Sequence, residues 1–287
     1  MCAFIRRQSS SIKVETQRAK SLPLLKWAGG KRRLLDNILP LVPPCFNRYF
    51  EPFLGGAALF FALRPERAYL SDNNADLIHA YLQVRDYPES VIRELRKLKN
   101  SESNYYLVRS SAPLADSTRA ARLIYLTSLA FNGIYRVNLR GQFNVPYGQK
   151  THLDPCDEVR IRESSISLKG AVITHQDFEM ALGDAREGDL VYLDPPYTVA
   201  HGNNGFIKYN AKIFSWEDQL RLAAVARRLA GRGCTVLVSN ADHFSIREIY
   251  QGFETKKLER NSVIAASGDF RSVVTECLFY MSGKLRC

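Results

Sequence analysis

The sequence predicts an α/β fold in which an open parallel sheet is interrupted by a helical, basic insertion. Three observations lead there. Short apolar runs that end in turn residues alternate with helical periodicity in the first and last parts of the chain. Residues 85–131 lose that alternation and keep only helical periodicity. The positive charge is gathered in two blocks, one of which falls on that helical stretch.

Taken in order, the pattern begins at Leu24, after a Ser-, Arg- and Lys-rich stretch without periodicity that reads as a disordered N-terminal extension (residues 1–22). A helix is expected from Lys31 to Leu39, stopped by Pro40, Pro43 and Pro44. Arg48–Phe53 reads as a buried strand, Gly55-Gly56 as a tight turn, and Ala57–Leu63 as the next helix. A second strand, Arg67–Ser71, ends at Asp72, and a helix follows over Ala75–Val84. This strand–turn–helix–strand–helix run is the unit of parallel sheets. Helical segments then cover Glu89–Leu98, Ser103–Val108 and Thr118–Phe131, and Ile134–Val145 reads as a hairpin turning near Arg140-Gly141-Gln142. Strands return at Ala171–Thr174, Leu190–Leu193, Thr235–Val238 and Thr275–Met281, with an amphipathic helix over Trp216–Ala230. The expected division is a sheet domain from 23–75 and 165–287, with 76–164 inserted as a second domain.

The chain has 287 residues, enough for a sizeable core, and its 46% hydrophobic and 24% charged residues are ordinary for a globular protein. No apolar run reaches the ~20 residues of a membrane span. The best one, near Ala120–Phe131, is broken by Arg122, Thr127 and Ser128. No secretory apolar segment is visible, and six scattered cysteines without a C-x-x-C pair argue against the usual zinc sites and a disulfide framework. A reducing, cytoplasmic location is expected. Of the net charge of +11, residues 1–33 hold nine Lys or Arg against one acid, and residues 85–140 hold ten against five. Two basic blocks suit a polyanion, because clustered cations release the counterions of nucleic-acid phosphates.

The sharpest motif is Asp194-Pro195-Pro196-Tyr197, directly after Leu190–Leu193. It places a carboxylate at the carboxyl edge of the sheet, where open α/β folds bind ligands. Two prolines stiffen the loop and remove two backbone donors, leaving acceptors beside an aromatic ring. That set suits a planar heterocyclic amine: acceptors bind its hydrogens and stabilise the charge that develops on nitrogen. A proline-rich strand exit with a solvated Asp fits the same residues. Phe50-Glu51-Pro52-Phe53-Leu54-Gly55-Gly56 is a glycine turn between strand and helix, and Asp72 falls 19 residues after Phe53 at the next strand end. There an acid can accept hydrogen bonds from ribose hydroxyls. No G-x-G-x-x-G or P-loop pattern is present. Lys26-Trp27-Ala28-Gly29-Gly30-Lys31 offers an aromatic wall and a cation for a carboxylate, or a basic loop capping the following helix.

These segments, with Phe131–Asn138 and Gly141–Gly148, resemble in order the Dam-type DNA adenine methyltransferases, from about Pro23 to the C-terminus. The resemblance implies a Rossmann-like methyltransferase sheet with a helical target-recognition insertion carrying a β-hairpin. It also implies S-adenosylmethionine as methyl donor and the adenine amino group in double-stranded DNA as acceptor. By the same resemblance Trp27, Lys31, Phe53, Gly55, Asp72, Asp177, Phe178 and Asp194 match cofactor-binding positions, and Asp194, Pro195 and Tyr197 the catalytic loop. Where relatives often have a further glycine, this chain has Ala57, whose methyl is expected to crowd the cofactor slightly.

The expected reaction needs no metal and no membrane. Adenine must leave the duplex to reach such a pocket, with Tyr197 as stacking platform. Arg136, Asn138 and Arg140 have donors for base edges, and equally for phosphates or for the hairpin itself; Lys26 is a further DNA contact that the resemblance suggests. His201–Asn210 reads as a flap or as plain loop. GATC is the expected target, by similarity in the hairpin. A monomer suits a single asymmetric methylation, no stable protein partner is implied, and a cognate restriction endonuclease is left open. RNA or protein glutamine as acceptor, or a non-catalytic DNA-binding relative, are the competing readings.

Overall fold

The computed structural model describes residues 22–199, 214–261 and 273–283. Seven strands form one sheet: β1 Tyr49–Glu51, β2 Ala68–Asp72, β3 Val172–His175, β4 Leu190–Leu193, β5 Thr235–Ala241, β6 Glu254–Asn261 and β7 Val273–Met281. Their order is β3-β2-β1-β4-β5-β7-β6. The first five run parallel, while β7 lies antiparallel between β5 and β6. The order reverses at β1, which pairs with β2 on one side and β4 on the other. A crevice opens at such a switch point, because the connections leave in opposite directions.

Both faces of the central strands are covered, so their residues are apolar without alternation while their side chains alternate between two cores. Tyr49, Leu190 and Tyr192 enter one core and Phe50, Val191 and Leu193 the other. The first core also holds α2 (Ala58–Leu63), α3 (Ala75–Asp86), α4 (Pro88–Leu95), α5 (Glu102–Ser110), α6 (Asp116–Leu129) and α7 (Glu158–Leu168). Helices of the basic stretch therefore pack into the same core as one sheet face. The second core is closed by α9 (Trp216–Gly231), whose start is fixed by a capping box between Ser215 and Asp218. Among the described residues there are also three short helices: α1 (Leu35–Ile38), α8 (Phe178–Ala181) and α10 (Phe244–Ile249).

Several elements differ from the sequence reading. Lys31–Leu39 is not one helix: 3₁₀ turns at Lys31–Leu34 and Leu39–Leu41 flank α1, and Pro40 sits in the first turn of the second, where its missing N–H costs nothing. The hairpin reduces to isolated bridges Val137↔Phe143 and Ala130↔Tyr147. Its turn is held by Asn138 N–H to the Gln142 carbonyl (2.8 Å) and Gly141 at φ 73°. Helix α7 was not anticipated, because serines (Ser164, Ser165) fill buried positions where apolar residues would have shown the period. Strand β6 was missed because Glu-Thr-Lys-Lys-Leu-Glu-Arg-Asn has the charged composition that protects a sheet edge. Among the described residues Cys156, Cys234 and Cys277 are thiols. Among the described residues no helix is long and apolar enough to cross a membrane. The expected N-terminal extension (but for Leu22) and the His201–Asn210 segment lie outside the described residues.

Candidate active site

The chain leaves β1 through Glu51-Pro52-Phe53-Leu54-Gly55-Gly56. Gly55 adopts φ 45°, and a Cβ there would come within 3.0 Å of Trp27 Cδ1, so only glycine lets the indole lie on the turn. Trp27 in turn stacks on Tyr135, with centroids 5.0 Å apart. Gly55 N–H donates to Asp72 Oδ2 (3.1 Å), and Tyr81 O–H donates to the Gly55 carbonyl (2.9 Å). Asp72, ending β2, also accepts Asn74 N–H at 2.9 Å. Burial pushes its carboxyl up to about 6 despite these donors.

At the end of β4, Asp194 Oδ1 lies 2.8 Å from Lys31 Nζ, and that ammonium also donates to the Gly29 carbonyl at 2.7 Å. Lys31 is only 4% exposed, a burial that an ammonium tolerates because of these acceptors. The rest of the loop is pinned at successive residues. Gln219 Nε2 donates to the Pro196 carbonyl (3.1 Å), Tyr197 O–H to Glu276 Oε2 (2.7 Å), and Thr198 Oγ1 to the Phe214 carbonyl (2.8 Å).

Between these two exits lies a cavity of about 1550 Å³. A single small-molecule pocket usually measures about 300–1,000 Å³, so this one has room for a nucleoside-sized molecule and a second base-sized group. Lys26, Trp27, Lys31, Phe53, Gly55, Asp72, Asp177, Phe178, Asp194, Pro195 and Tyr197 all reach its wall, drawn from segments 171 residues apart in the chain at their widest (Tyr197 after Lys26). Arg136 reaches its rim, whereas Asn138 and Arg140 do not line it. Phe53 stacks on Phe178 at 5.4 Å, and both meet Phe214 (5.5 and 5.8 Å). Asp177 is fully engaged: Arg221 donates to both its oxygens at 2.8 Å, which holds its carboxyl below the usual range.

A protein-family model for D12 class N6 adenine-specific DNA methyltransferases matches residues 27–264. The chain belongs to this family. The methyltransferase is 38% identical over 266 residues to the type II methyltransferase M1.LlaDCHI of Lactococcus lactis subsp. cremoris, covering 89% of this chain and 94% of that one. It is 34% identical over 275 residues to the type II methyltransferase M.MjaIII of Methanocaldococcus jannaschii, covering 87% and 94%. To the DNA adenine methylase of Escherichia coli strain K12 it is 32% identical over 268 residues, covering 90% and 95%.

Several residues of the methyltransferase cavity were not singled out from sequence. Glu51 is 2% exposed and accepts Tyr49 O–H at 2.9 Å; burial pushes its carboxyl up to about 8. Arg221 holds Asp177 and lies 4.2 Å over the Phe178 ring. Lys150 and Arg160 join Lys26 on the wall; burial lowers the Lys150 ammonium to about 8, with Lys26 adding repulsion. Arg221 and Lys150 are set by partners distant in sequence, Asp177 and the Ser128 and Ala130 carbonyls, which no local motif announces. Ala57 adopts φ 54° at the start of α2, a left-handed backbone where glycine is unstrained.

Proposed function

We propose that this DNA adenine methyltransferase takes its methyl group from S-adenosylmethionine and acts on an adenine turned out of duplex DNA, with GATC as its target. The observation that supports this reading most is the shared cavity, which joins Asp194-Pro195-Pro196-Tyr197 to the glycine turn and Asp72. The residues present fit the cofactor. Asp72 offers carboxylate oxygens for ribose hydroxyls, the Phe53–Phe178 pair an aromatic surface for adenine, Gly55 a bend without a Cβ, and Lys31 a cation for a carboxylate. When bound, that cofactor supplies a methyl already activated on a sulfonium, so no metal is called for.

The protein's task is then placement. Asp194 and the Pro195 carbonyl accept the hydrogens of the adenine amine, which localises its lone pair and stabilises the positive charge that develops on nitrogen. Tyr197 offers its ring to the extruded base, in a loop that Gln219, Glu276 and the Phe214 carbonyl hold still. Residues 76–164 supply target recognition in this proposal. Arg136 at the cavity rim faces base edges, and the exposed tip Leu139-Arg140 meets the duplex. Asn138 is assigned to the hairpin itself, since its Oδ1 accepts the N–H groups of Arg140 (2.9 Å) and Gln142 (3.0 Å). Asp177 is assigned a cofactor-side role through its backbone and Phe178, with its carboxylate held by Arg221. A monomer suffices for one methylation event.

Plasmid prepared from a methylation-deficient host expressing the chain, cut with GATC endonucleases blocked by or dependent on adenine methylation, tests this. Protection from the first and cleavage by the second are expected. An unprotected plasmid that still gains tritium from labelled S-adenosylmethionine would remove GATC and keep the reaction.

A further inference from the structure

Glu276 sits in the middle of β7, opposite Ala241 of β5 and Leu258 of β6, and is 1% exposed. Its neighbours along the strand, Cys277 and Leu278, are core residues, and an apolar side chain would suit that position by packing alone. A carboxylate taken this far from water costs several kcal/mol unless it is hydrogen-bonded and paired. Two of its partners are residues of the cavity. Glu276 Oε2 accepts Tyr197 O–H at 2.7 Å and lies 3.8 Å from Lys31 Nζ. The same ammonium is 2.8 Å from Asp194 and 4.8 Å from the centre of the Tyr197 ring.

We propose that Glu276 is a positioning residue for methyl transfer, fixing the plane of the Tyr197 ring through its hydroxyl and sharing the Lys31 ammonium with Asp194. The inference rests on the methyl-transfer reading above. Tyr197 leaves a loop and turns about two side-chain bonds; a hydrogen bond at its far end removes the remaining freedom of the ring. Lys31 is likewise caught between two carboxylates and the Gly29 carbonyl, so Asp194 meets an ammonium in a defined place. Glu276 itself touches neither substrate in this scheme. It transmits order from the sheet to the two groups that do.

The test compares Glu276→Ala, Glu276→Gln, Tyr197→Phe and the double variant Tyr197→Phe/Glu276→Gln with the wild-type chain. Three measurements are made: tritium transfer from S-adenosylmethionine to a duplex oligonucleotide, fluorescence of 2-aminopurine at the target position, and the thermal midpoint. Glu276→Ala and Tyr197→Phe are each expected to lower kcat about 10-fold, as misplacement of reacting groups does, with KM for DNA and the 2-aminopurine signal little changed. Glu276→Gln, whose amide oxygen still accepts the hydroxyl, should recover to within about threefold of wild type, and adding it to Tyr197→Phe should cost nothing beyond the loss of Lys31 pairing. A purely structural role would lower the midpoint without this split or rescue. Should Glu276→Ala fail to fold, Tyr197→Phe and the double variant decide. Wild-type kcat in Tyr197→Phe, or losses that simply multiply, would overturn the proposal while leaving the methyl-transfer reading intact. A wild-type chain that moves no tritium to DNA would overturn that reading, and the proposal with it.

Discussion

Around the cavity, charged groups are joined across long stretches of chain, buried in the case of Lys31 with Asp194 and Glu276, and half-exposed in that of Arg221 with Asp177; Asp72 is tied to the Gly55 turn. Around the hairpin they are exposed and bonded to near neighbours: Arg136 Nε donates to Asn144 Oδ1 at 2.8 Å, and Asn138 Nδ2 to Gln142 Oε1 at 3.1 Å. The fold itself arranges the first set before any ligand arrives, as electrostatic catalysis requires. The second set is arranged by one turn, and its donors can exchange local partners for DNA at little cost, since exposed polar pairs contribute little stability. In the proposed reading, one region is built for chemistry on a fixed stage and the other for adaptable contact.

Substitutions can break this contrast. The largest effect is expected for Asp194→Ala, which should lower methyl transfer about 10²- to 10³-fold, the usual loss of a charge-stabilising group, while gel-shift affinity for DNA stays near wild type. Arg136→Ala should act the other way. Discrimination at one base pair of the target should fall about 10- to 100-fold, the equivalent of a lost bidentate base contact, with thermal stability unchanged, as competition binding with single-substituted duplexes would show. If both variants gave the same phenotype, the division between the regions would be lost.

Arg221→Ala sharpens the cavity side, because it frees Asp177 and uncovers Phe178. Cofactor affinity by calorimetry should weaken about fivefold, the scale of a half-exposed ion pair. The pH dependence follows from Asp72, whose carboxyl is raised to about 6 by burial. Its ionised form, the better acceptor for ribose hydroxyls, is present above that pH, so cofactor affinity should fall as pH drops through about 6 and Asp72→Asn should flatten the profile. The smallest effect is expected at Ala57, held at φ 54°. Ala57→Gly removes backbone strain at the expense of a looser unfolded chain, and should raise the thermal midpoint by about 2 °C.

The same contrast explains what could be read from the chain in advance. Asp194, Asp72 and the Gly55 turn were legible because each ends an apolar strand, and a strand end fixes where a side chain goes. Glu276 was not, since it meets Tyr197 across 79 residues and sits among apolar neighbours that mark it only as β7. Arg221 looked like the polar face of α9; its pairing with Asp177, 44 residues earlier, follows from the packing of α9 beside α8. In the hairpin, sequence located the turn but not the use of Asn138, whose side chain closes that turn. The charged strand β6 and serine-bearing α7 escaped because both lack the apolar period on which such reading depends.

The central claim is that the cavity at the β1–β4 switch point is where adenine N6 receives its methyl group. Single-molecule sequencing of DNA from methylation-deficient cells expressing either the wild-type chain or Asp194→Ala tests it most directly. N6-methyladenine at one recurring sequence with the former, and unmodified DNA with the latter, is the expected result. Equal methylation with both would contradict the account.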